Sequence, residues 1–254
     1  MTDKTTSASF EQVADVPAEA PTLIEGLPGH GLVASIAVDQ ITTQLDLEHY
    51  GNVAADEFPP VVTFEDGLVQ DLVRVYAGPE PAVMTLESDL ALPEPAYEPL
   101  SKCVLEELAD DFSRAIFLAG APAQSEERIG DVSGVATTDA IRDDLDEAGI
   151  TVPEDRGVVG GITGSLVREC YQADIPAALL IVRSHPYLPD PHAAKSVIEN
   201  ALEPLVEFDI ETAALDEQAE EIQQQMQQVA QQYQQMTEDQ QQQQQQPTQT
   251  GMFQ

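Results

Sequence analysis

Ala178-Leu179-Leu180-Ile181-Val182-Arg183 is the run on which the fold turns. Its first five residues are apolar and leave no polar face, so a strand built from them must be covered on both sides. Ala115-Ile116-Phe117-Leu118-Ala119 has the same character. A sheet with one wet face would alternate apolar and polar residues instead. Between such runs the chain shows helical periodicity, and the two together predict an α/β fold: a single domain with a central sheet flanked by helices.

Working outward, further strands are predicted at Thr22-Leu23-Ile24-Glu25, Val61 to Phe64, Leu68 to Tyr76, Ala82 to Leu86 and Val158-Val159. Helices are predicted over 31–46, 96–112, 138–148, 163–173 and 191–206. Leu68 to Tyr76 alternates more than the others, which suits an antiparallel hairpin with 61–64 turning at Glu65-Asp66-Gly67. Residues 1–20 are polar and small and read as a flexible lead-in, so the α/β domain is placed over 21–208.

Beyond 211 the pattern changes. Leu215, Ala219, Ile222, Met226, Val229, Tyr233 and Met236 follow one another at intervals of four and three, an unbroken heptad seam among Gln and Glu. A helical arm over 211–238 follows, and two readings stand: its stripe docks on its own domain, or it self-associates as a coiled coil and makes a homo-oligomer. Residues 239–254 are Gln-rich, with Gln240 to Gln246 all glutamine, and have almost nothing apolar to bury. Such a segment is expected to be disordered. Met252 and Phe253 then stand one residue from the end at Gln254, apolar groups on a solvated tether with no local core to receive them.

Among 254 residues, 46 acids against 10 bases give a formal charge of −36, with lysine reduced to Lys4, Lys102 and Lys195. The acids are scattered, as in Asp110-Asp111 and Asp143-Asp144, rather than gathered in a tail. Scattered acid with little lysine fits a halophilic cytosol at molar salt, where the Debye length falls to about 3 Å and self-repulsion is screened. An acidic surface for a basic partner is the competing explanation. No basic stripe is present to displace counterions, which argues against nucleic acid. No apolar run approaches the roughly 18 residues of a membrane span, and the polar N-terminus lacks a signal-peptide core, so a cytoplasmic location is expected. Cys103 and Cys170 form neither a metal spacing nor a disulfide framework.

Three motifs could carry chemistry. Gly26-Leu27-Pro28-Gly29-His30-Gly31 follows a strand and opens a helix, where anions can bind. Its spacing is not that of a dinucleotide fingerprint, nor does a Lys-Ser/Thr follow as in a phosphate loop. Gly160-Gly161-Ile162-Thr163-Gly164-Ser165 repeats the arrangement without a nucleophile elbow around Ser165. In Ser184 to His192, His185, Asp190 and His192 could ligate a metal, but three prolines keep the path extended. The simpler reading makes Asp190 the N-cap of a helix with Pro191 at its first position. No catalytic residue, cofactor or metal is assigned.

Two sets of residues resemble a known family. Met252-Phe253-Gln254 resembles the hydrophobic–tyrosine–any-residue tail of proteasome activators and assembly chaperones, with Phe253 in place of the tyrosine and its hydroxyl lost. Gly26 to Ala34, Asp56-Glu57-Phe58-Pro59-Pro60 with Asp66-Gly67, Gly160 to Gly164, and Tyr187 to Pro191 with Ala193-Ala194 resemble the archaeal form of the proteasome assembly chaperone family. His30 departs from that pattern, since an apolar or small residue is expected there. The resemblance covers about 21–208. It implies a nucleoside-phosphorylase-like domain without catalytic residues, self-association, and proteasome α-subunits as partners. The expectation is a non-enzymatic, ATP-independent chaperone or adaptor that docks through Met252, Phe253 and Gln254. Two alternatives stay open: an enzyme holding a phosphorylated or nucleoside-like ligand at the glycine turns, and a structural oligomeric scaffold.

Overall fold

The computed structural model describes residues 7–15 and 19–225. In chain order the strands and helices are β1 (Ala8–Gln12), β2 (Thr22–Gly26), α1 (Val33–Gln44), β3 (Glu48–Ala55), β4 (Thr63–Glu65), β5 (Leu68–Gln70), β6 (Val73–Pro79) and β7 (Ala82–Ser88). There follow α2 (Tyr97–Glu107), β8 (Arg114–Pro122), β9 (Val132–Ala136), α3 (Asp139–Glu147), α4 (Gly161–Gln172) and β10 (Ala177–Ser184). The helix α5 (Pro191–Val197) runs through a π turn (Ile198–Leu202) into α6 (Glu203–Val206).

Eight strands form one mixed sheet in the order β1-β3-β6-β7-β2-β8-β10-β9. Its centre, β7, β2, β8 and β10, is parallel, whereas β1, β3 and β6 extend it as antiparallel neighbours and β9 closes the far edge antiparallel to β10. The parallel strands are those whose sequences are apolar on both faces. Leu23 and Phe117 join the core with Leu100, Val104, Leu166 and Cys170 of α2 and α4. The helix α1 buries Val33, Ala34, Ala37, Val38 and Ile41, an i, i+3/i+4 stripe, and packs beside α5.

The five helices predicted between 31 and 206 form, and the hairpin turns at Asp66-Gly67, both with positive φ as a tight two-residue turn needs. The structure also differs from the sequence reading. The lead-in contains β1, whose Phe10 ring lies 5.2 Å from Tyr50 of β3; cross-strand pairing holds this polar segment. The strand β3 escapes a pattern reading because its register shifts between His49 and Gly51. The run Leu68 to Tyr76 is two strands, β5 and β6, which belong to separate sheets. Val158-Val159 is not a strand: Val158 is 98% exposed, in an irregular segment leading to Gly160.

The chain divides into two units at 212/213. In the second, residues 213–225 are helical and carry Leu215, Ala219 and Ile222. Met226, Val229, Tyr233 and Met236 of the same seam lie outside the described residues, as do Met252, Phe253 and Gln254. Among the described residues no helix is long and apolar enough to cross a membrane.

Candidate functional site

The chain leaves β2 towards β7 on one side, and it leaves β8 towards β9 and β10 on the other. The carboxyl ends of β2 and β8 are therefore a topological switch point, the place where open α/β sheets hold their sites. Three of the sequence motifs meet there: the turn after β2, the N-terminus of α4, and the segment from β10 into α5.

The turn after β2 lies directly on β8. A Cβ built on Gly120 would sit 1.9 Å from the His30 carbonyl oxygen, so only glycine allows this approach. Gly31, at φ +66°, packs against Ser184 at the end of β10, and its carbonyl accepts a 2.9 Å bond from the Asp190 amide. Asp190 caps α5 as the sequence predicts, with Oδ1 accepting from Ala193 N at 3.0 Å. Its Oδ2 accepts from His185 N at 2.6 Å. Both carboxylate oxygens are thus committed to backbone amides, and Asp190, His185 and His192 are not brought together as ligands. Among the described residues no group of three His, Cys, Asp or Glu side chains could hold a metal. The His30 Nε2 and Ser184 Oγ atoms are buried without a hydrogen-bond partner there.

On the α2/α4 face of the sheet the switch point holds an acid. Glu25, fully buried, alternates with Leu23 onto this face. Its Oε1 accepts from Leu27 N at 3.2 Å and from Thr163 Oγ1 of α4 at 3.4 Å. Its Oε2 accepts from Leu118 N of β8 at 3.2 Å. Burial pushes this carboxyl up to about 8, although the bonds from Leu118, Leu27 and Thr163 oppose the rise. Glu25 thereby ties the turn after β2, strand β8 and helix α4 to one group. Sequence reasoning treated it only as a strand end; the signal was an acid inside Leu23-Ile24-Glu25-Gly26-Leu27, where the neighbours are apolar.

The arrangement is a set of turns packed on one another. Ser165 of α4 accepts a 2.7 Å bond from Ser101 of α2. Burial pushes the thiols of Cys103 and Cys170 up to about 12, so neither is a ready nucleophile.

A mixed eight-stranded sheet with helices on both faces and its glycine turns closed at the switch point defines an α/β domain of one recognisable kind. The chain belongs to the PAC2 family, whose sequence profile matches residues 23–230. An uncharacterized protein of Methanocaldococcus jannaschii is 28% identical over 218 residues, 85% of this chain and 88% of its own length. Among solved structures, Pyrococcus furiosus PbaA, described as an archaeal homolog of proteasome-assembly chaperone, superposes with a TM-score of 0.79 at 23% identity. That alignment covers 92% of this chain and 97% of PbaA. Pyrococcus furiosus PbaB, described as an archaeal proteasome activator, gives a TM-score of 0.76 at 19% identity, over 89% of this chain and 99% of PbaB. At these identities the likeness to the two structures establishes the fold.

Proposed function

We propose that this chain is an ATP-independent chaperone or adaptor of the proteasome, acting as a homo-oligomer in a high-salt cytosol and docking on α-subunits through Met252, Phe253 and Gln254. The observation that carries the reading is membership of the PAC2 family together with a fold shared along nearly the whole length of PbaA and PbaB. Met252 and Phe253 would supply the chemistry: a flexible apolar side chain and an aromatic ring for a pocket. Each tail binds weakly because its tether must be ordered, and several tails on one oligomer act together.

The test is a pull-down of proteasome α-subunits at molar salt with the full chain and with a 1–251 truncation. The full chain should retain them and the truncation should not. Equal retention by both would move the contact to the folded body.

A further inference from the structure

The hairpin β4–β5 pairs only with itself, as a two-stranded sheet apart from the central one. The chain enters it from Phe58, which packs against the core, and leaves it at Leu72, which is buried. Between those anchors, from Pro59 to Asp71, no residue is buried. Val62, Phe64, Leu68 and Val69 are 70%, 75%, 72% and 71% exposed. Apolar burial therefore does little to hold the hairpin on the body, and a lone two-stranded hairpin is marginal in water.

What holds it is one guanidinium. Val73 and Val75 of β6 join the core, so Arg74 stands on the opposite face of the sheet. Its Nη1 donates to the Asp71 carbonyl at 2.8 Å and, in a longer contact of 3.5 Å, to Thr63 Oγ1, which touches both legs of the hairpin. Nη1 and Nη2 also donate to the two carboxylate oxygens of Asp89, just beyond β7, at 2.6 and 2.9 Å, and Nε donates to the Tyr76 hydroxyl at 3.0 Å. These bonds hold the Asp89 carboxyl below the usual carboxylate range, although partial burial opposes the shift. The same positive charge counters the repulsion that Asp39 of α1 feels from Glu65 of β4 and from Asp89. Hairpin and body thus carry opposed acids, and Arg74 is the group that offsets them.

We propose that β4–β5 is a flap, hinged at Pro59-Pro60 and at Asp71 and closed on the sheet by Arg74, which opens as a unit while the central sheet stays folded. Apolar packing fixes the strands on either side of it, whereas polar contacts centred on one ion pair fix the flap, so its opening belongs to the low end of the local stabilities. Beneath it lies the polar face of β6 and β7: Tyr76 alternates onto the side of Arg74, and Glu87 is the cross-strand partner of Arg74. An open flap gives access to that face.

The test is hydrogen exchange of the full-length protein at molar salt, followed by peptide, for wild type, Asp89→Asn and Arg74→Lys. The first removes the charge at an exposed position; the second keeps a charge, but an ammonium cannot bridge Asp71, Thr63 and Asp89 together. In both variants residues 59–71 should exchange roughly tenfold faster or more, while β2, β8 and β10 stay within about twofold of wild type. Where Arg74→Lys fails to fold, Asp89→Asn carries the test alone. Exchange at 59–71 that is the same in Asp89→Asn as in wild type overturns the proposal. So does faster exchange spread through β2, β8 and β10, because Arg74 and Asp89 would then be holding the whole sheet. A hairpin already unprotected in wild type overturns the closed state.

Discussion

Glu25 Oε2 accepts a hydrogen bond from the Leu118 amide at 3.2 Å, so the acid that ends β2 is fastened to the neighbouring strand β8. The same carboxyl reaches α4 through Thr163. Sheet and helix are thus locked at the switch point by a group whose preferred state inside the protein is neutral.

That preference has a definite sign. The folded protein holds the Glu25 proton up to about 8, whereas the unfolded chain releases it near the ordinary 4.5. Between those values the folded state binds more protons, so this group's contribution is greatest below the unfolded value and is lost as pH rises through the folded one. The slope approaches 1.4 kcal/mol per pH unit within the window. Glu25→Gln has no proton to lose and should remove that slope, although it gives up one backbone bond. The check is the difference in unfolding free energy between wild type and variant from pH 5 to 8. A difference that stays constant over this range would show that Glu25 does not titrate there.

Gly120→Ala should be among the most damaging single changes in the domain. The added Cβ meets the His30 carbonyl at 1.9 Å, backbone against backbone, with no flexible side chain able to yield. A loss of about 3 kcal/mol or more is expected, the range of overpacking that forces the main chain apart. Chemical denaturation measures it. Gly29→Ala is the control, since nothing lies within 4 Å of its Cβ position.

Salt dependence tests the halophile reading. With a formal charge of −36, repulsion between carboxylates should weaken the fold or its assembly below about 0.5 M salt, where the Debye length exceeds roughly 4 Å. A melting temperature unchanged between about 0.1 and 3 M salt would count against it.

The parts of the fold that sequence disclosed are those where one residue pattern has one physical solution. Ala178 to Val182 and Ala115 to Ala119 lack a wet face and could only be central strands. Asp190-Pro191 specified the start of α5, and Asp66-Gly67 specified a tight turn. What stayed hidden depends on pairing between distant segments. The strand β1 exists because β3 supplies its hydrogen bonds, and β3 is masked by a register shift at His49/Gly51. At the switch point the glycine motifs were visible one by one, but their meeting was not. Gly120 joins them only because β8 lies beneath the His30 turn, a fact of sheet order that no local window contains.

The central claim is most directly tested by the affinity of the full-length oligomer for purified proteasome α-rings, measured for wild type and Phe253→Ala at molar salt. Burying the Phe253 ring contributes on the order of 2–3 kcal/mol per tail. The substitution should therefore reduce binding at least tenfold with oligomer and melting temperature unchanged, and Phe253→Tyr should bind as well as wild type or better. Wild-type affinity in Phe253→Ala would contradict docking through the tail.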